Sequence, residues 1–84
     1  MAIEQYVYEI ANQMGIKLSE VSVTDGDQIG YHGMNLLNIC ADGHVVKALV
    51  NKSEMETLHD GGFCDKLEIK ILTAMSQLQK MLDK

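Results

Sequence analysis

The stretch Met34–Asn51 constrains this chain more than any other, because two apolar runs there flank the dipeptide Asp42-Gly43. A tight type I′ turn needs positive φ at both central residues, and Asp-Gly between alternating apolar runs is a strong short-range sign of one. With Asp42 and Gly43 as those residues, the pairing follows by counting outward. Ala41 faces His44, Ile39 faces Val46, Leu37 faces Ala48 and Asn35 faces Val50 on one side of the sheet. Cys40/Val45, Asn38/Lys47, Leu36/Leu49 and Met34/Asn51 fall on the other. The first side, with Leu37, Ile39, Val46, Ala48 and Val50, is the expected core face.

Helical periodicity frames the hairpin. Ile3, Tyr6, Val7, Ile10, Ala11 and Met14 recur at one-face spacing, which predicts a helix over residues 2–14 ended by Gly15. Glu20–Thr24 alternates and predicts a strand. Residues 25–33, DGDQIGYHG, hold three glycines and fit either a second hairpin into Gln28–Tyr31 or a long loop. Ser53 and Glu56 match a capping box for a short helix that Gly61-Gly62 must end near Asp60. Asp65 and Glu68 repeat that pattern for a long helix from Lys66 to about Asp83. Its apolar stripe is Leu67, Ile71, Ala74, Met75, Leu78, Met81 and Leu82, and Lys80 and Lys84 suit its negative pole. The expected fold is α+β in two layers, one domain over residues 1–84. An antiparallel sheet of three or four strands is packed by an N-terminal helix and a long C-terminal helix, in the order α-β-β-β-α-α.

Some apolar residues exceed what one core face needs. Leu36 and Leu49 lie on the second face of the hairpin, and Ile69 and Leu72 lie off the main helical stripe. Either the 25–33 loop and the short helix cover them within one molecule, or they form an interface in a homodimer or with another protein.

Charge excludes more than it assigns. The net formal charge is −5 and arginine is absent. Residues 1–46 carry Glu4, Glu9, Glu20, Asp25, Asp27 and Asp42 against Lys17 alone, whereas residues 47–84 balance. The element order resembles that of double-stranded-RNA-binding domains, which use a basic cluster at the start of their last helix. Here that position reads Asp65-Lys66-Leu67-Glu68, with no net charge. A direct nucleic-acid role is not expected, since such affinity comes mainly from neutralising phosphates. No run approaches the ~18 apolar residues of a membrane span. The N-terminus lacks the basic region of a signal peptide, so a cytoplasmic location and two reduced cysteines, Cys40 and Cys64, are expected.

Catalytic and metal patterns are weak. Cys40 and His44 fall on opposite faces of the hairpin. His59 and Cys64 span a glycine pair, and His32 stands apart, so no zinc spacing is complete. Asp25-Gly26-Asp27 opens like a calcium loop, but Ile29 and Leu36 occupy positions that need oxygen ligands. No phosphate-binding glycine motif is present. No catalytic residue, cofactor or metal site is therefore expected.

The expected function is non-enzymatic protein binding. Glu4, Glu9, Asp25, Asp27 and Asp42 would present an acidic surface that steers a basic partner surface. In size and charge the chain resembles the inhibitors carried by phages and mobile elements, which occupy another protein's nucleic-acid groove. Two alternatives stand beside it. One is a homodimeric structural or assembly subunit using Leu36, Leu49, Ile69 and Leu72. The other is a metal- or ligand-binding accessory protein using His32, His59 and Cys64.

Overall fold

The computed structural model describes residues 2–83 and shows the expected α+β order. Helix α1 (Ile3–Met14) leads into strand β1 (Glu20–Asp25), then β2 (Met34–Ala41) and β3 (His44–Asn51), then helices α2 (Lys52–His59) and α3 (Asp65–Leu82). The three strands form one antiparallel sheet in the order β1-β2-β3. The 25–33 segment adds no strand. It holds a 3₁₀ turn over Gly26–Gln28 and a loop.

The β2–β3 register is the one obtained by counting from the turn, from Ala41 opposite His44 to Met34 opposite Asn51. Asp42 has φ of 50° and Gly43 of 80°, so both central residues are left-handed, as a type I′ turn requires. β1 joins on the other side, with Val21 opposite Ile39 and Val23 opposite Leu37. Period two therefore puts Val21, Val23, Leu37, Ile39, Ala41, Val46, Ala48 and Val50 on one face.

That face carries the helices. α3 runs along β3 and α1 lies against β1. Leu67, Ile71, Met75 and Leu78 from α3 are fully buried, as are Val7 of α1 and Leu37, Ile39 and Val50 of the sheet. Burying each of the α3 residues contributes roughly 1.5–3 kcal/mol, which makes that stripe the largest single block of the core. Helix α1 ends in a Schellman motif. Gly15 takes the left-handed conformation, its N–H bonds to the Asn12 carbonyl, and the Ile16 N–H reaches the Ala11 carbonyl at 2.9 Å.

Three local expectations need correction. The cap of α2 is Asn51, with Glu54 at the third helical position in place of the Ser53/Glu56 pair. The Lys52 N–H still bonds to the Gly33 carbonyl, which carries the ladder to the very start of the helix and fixes where it begins. The cap of α3 is Cys64 and not Asp65, because the Glu68 N–H bonds to the Cys64 carbonyl and starts the helix one residue earlier. Met81 is exposed, since the last turn of α3 turns it out of the buried stripe. Lys84 lies outside the described residues.

Candidate functional site

The densest charged arrangement forms where β1 ends and α2 begins. Asp25 closes β1, and its Oδ1 accepts the Asp27 N–H at 3.0 Å, the local bond that starts the 3₁₀ turn. Asp27 Oδ1 accepts the Gly33 N–H at 3.0 Å and so draws the far end of the loop back. Gly26 permits the tuck: a Cβ there would lie 2.2 Å from the Met34 carbonyl oxygen. Lys52, the first residue of α2, spans both carboxylates, with Nζ 2.9 Å from Asp25 Oδ1 and 2.5 Å from Asp27 Oδ2. His32 Nδ1 stands 3.6 Å from Asp27 Oδ1.

The electrostatics follow from those contacts. Hydrogen bonds from Lys52, then the Asp27 N–H for Asp25 and the Gly33 N–H for Asp27, hold both carboxyls below the usual carboxylate range. Asp27 and Asp25 in turn raise the Lys52 ammonium above its ordinary value. Lys52 also lines a surface groove of about 400 Å³ with Glu4, Asn35, Glu56 and His59. This end of the molecule thus gathers Glu4, Asp25, Asp27 and Glu56 around one lysine.

The structure does not bring all five expected acidic residues together. Glu4, Asp25 and Asp27 share this end. Glu9 is exposed further along α1, and Asp42 is at the hairpin tip, the opposite end of β2 and β3. An eight-residue strand spans about 26 Å, so Asp42 adds little to the same local field at ordinary salt.

The four expected interface residues also divide. Leu36 and Leu49 are cross-strand neighbours on the helix-free face and are half-buried. Ile69 is 61% exposed and lines a groove with Leu49 where α3 overhangs β3. Leu72 is exposed on α3 and does not line that groove.

A buried polar cluster at the α1–α2–α3 junction was not expected from the sequence. Glu54 is 7% exposed. Its Oε1 accepts the Asn51 N–H at 2.9 Å and Lys70 Nζ at 2.8 Å, while Cys64 Sγ donates to Oε2 at 3.7 Å. Burial pushes the Glu54 carboxyl up, but Lys70, the Asn51 N–H and Cys64 together outweigh it and hold it below its ordinary value. Nearby, Tyr6 Oη donates to Glu68 Oε2 at 3.1 Å. Burial, then the Glu68 bond and the negative charges of Glu68, Cys64 and Asp65, push the Tyr6 hydroxyl up to about 12. The sequence did hold a signal for Glu54, since Asn51 and Glu54 have capping-box spacing. Its pairing with Lys70 spans sixteen residues and left no local pattern.

His32 sits on the 25–33 loop beside Asp27, and Cys64 sits against Glu54. Among the described residues no three His, Cys, Asp or Glu side chains are placed to hold a metal ion together. No helix among them is long and apolar enough to cross a membrane. No family model, curated protein or solved structure matches the chain.

Proposed function

We propose that this chain is a non-enzymatic protein-binding domain that presents its acidic end to a basic surface of a partner protein. The observation that carries the proposal is the gathering of Glu4, Asp25, Asp27 and Glu56 around Lys52. Lys52 also ties the loop to α2, so the carboxylates stand on an ordered scaffold, and ordering them costs a partner less on binding. Their depressed pKa values keep Asp25 and Asp27 ionised below the ordinary carboxylate range. The phage-type inhibitor remains the concrete form of this role, and the two free cysteines suit a cytoplasmic setting.

Affinity capture from lysate of the native host, run across a salt series, tests the proposal. The expected result is a basic partner that is held at low salt, released as salt rises, and lost with Glu4→Gln, Asp27→Asn and Glu56→Gln combined. Capture that ignores both salt and the triple substitution would contradict it.

A second role, a homodimeric assembly subunit, draws support from Leu36 and Leu49 side by side on the helix-free face. Light scattering distinguishes the two. A stable dimer dispersed by Leu36→Ser favours the second, and a 9.3 kDa monomer removes it.

A further inference from the structure

β3 is an edge strand, and among the described residues no backbone group pairs with its outer side. In a two-residue hairpin the pair closing the turn, Ala41 and His44, is hydrogen-bonded, and bonded pairs then alternate along the ladder. His44, Val46, Ala48 and Val50 therefore turn their N–H and C=O groups toward β2. Val45, Lys47 and Leu49 turn theirs outward, and no backbone bond of the described residues reaches them. The register runs without a bulge, so the edge is unbroken over its eight residues.

The surroundings of this edge have a definite charge. β3 contains no carboxylate. Beside it, α3 overhangs a groove of about 280 Å³ lined by Ala48, Leu49, Ile69, Lys70, Thr73 and Gln77, again without a carboxylate. Lys66 and Lys80 extend the same side of α3 by one turn at each end, at the three- and four-residue spacings that share a helical face. Lys47, Lys66 and Lys80 make no ion pair among the described residues. In a chain of net charge −5, Lys47 and Lys70 line this groove, and Lys66 and Lys80 share the helical face of α3 that overhangs it.

We infer that the β3 edge is a docking site for an extended, acidic segment of a partner protein, which adds as a fourth strand. Its backbone would pair with Val45, Lys47 and Leu49. Its apolar side chains on one face would pack under Ile69 and Thr73, and its carboxylates would meet Lys47 on the other face and Lys66 or Lys80 at the ends. Strand addition of this kind takes affinity from the main chain and specificity from alternate side chains. A second copy of this chain is a poorer occupant. A lysine on an edge strand opposes self-pairing, and two β3 edges brought together would set one lysine-bordered groove against another. This site is separate from the acidic end and does not depend on it.

The test is selection of binders to the full chain from a displayed library of random short peptides, followed by amide chemical-shift mapping of the winners. The expected peptides alternate apolar residues with Asp or Glu, and they shift the amides of Val45, Lys47 and Leu49 most. Lys47→Pro removes one outward N–H without touching the β2 ladder and is expected to weaken binding about tenfold or more. Lys47→Glu is expected to weaken it to a similar degree, increasingly so at low salt. If Lys47→Pro fails to fold, Lys47→Glu and the shift map still decide the matter. Winners without carboxylates, shifts centred elsewhere, binding indifferent to both substitutions, or a dimer through β3 that excludes the peptides would each overturn the inference.

Discussion

The two faces of the sheet are built from the same strands and have opposite fates. On one, Leu37, Ile39, Ala41, Val46 and Val50 are buried beneath α1 and α3. On the other, Leu36, Cys40 and Leu49 are only half-buried, and Val45 is 49% exposed. Neighbouring residues along one strand therefore do different work. The even-numbered residues of β3 hold the fold, and the odd-numbered ones hold its surface and its free edge. Burial, and with it the hydrophobic contribution to stability, is concentrated on one side of the sheet.

Substitutions on the two sides should separate sharply. Leu78→Asp sets an unpaired carboxylate in the buried α3 stripe, where Leu78 is fully buried, and is expected to abolish cooperative thermal unfolding, since the cost rivals the whole stability of a domain this size. Leu37→Ala, on the covered face, should cost about 2–5 kcal/mol in a denaturant melt, whereas Leu36→Ala, one residue away on the open face, should cost clearly less. Equal losses at Leu36 and Leu37 would mean that something covers both faces.

Glu54 sharpens the comparison from the helical layer, where it is the buried charge that ties α2 to α3. Glu54→Gln should destabilise by about 1–3 kcal/mol near neutral pH. Because its folded pKa is lowered, its contribution is present above the ordinary carboxylate range and lost as pH falls through the depressed folded value. An acid titration of stability should therefore be flatter in Glu54→Gln than in the parent chain. Tyr6 has the opposite sign. Its raised folded pKa gives stability that is complete below the ordinary tyrosine value and lost as pH rises toward about 12. Tyr6→Phe should remove that alkaline dependence and, by losing the one part-buried bond to Glu68, cost about 0.5–1.5 kcal/mol at neutral pH, which a melt series from neutral to high pH checks.

The hairpin was readable because side chains alternate with period two, so one correctly placed turn fixes every residue from Met34 to Asn51. The stripes of α1 and α3 were readable for the same kind of reason, at helical period. What escaped was non-local or locally ambiguous. Asn51/Glu54 and Ser53/Glu56 both satisfy a capping box, and the choice is settled by Lys70 on another helix and by the Gly33 carbonyl at the sheet end. The loop at 25–33 offered glycines for either a hairpin or a turn, and Lys52, far along the chain, ties Asp25 and Asp27 into the turn. Of the candidate site, the acidic residues were visible individually. Their division between two ends of the sheet needed the fold.

Residue-resolved amide hydrogen exchange tests the one-sided architecture most directly. Exchange is expected to alternate along β3, slow at Val46, Ala48 and Val50 and fast at Val45, Lys47 and Leu49. Uniform protection along the strand, or the reverse alternation, would contradict it, because either would mean that the outer edge of β3 is already paired or that the register is shifted.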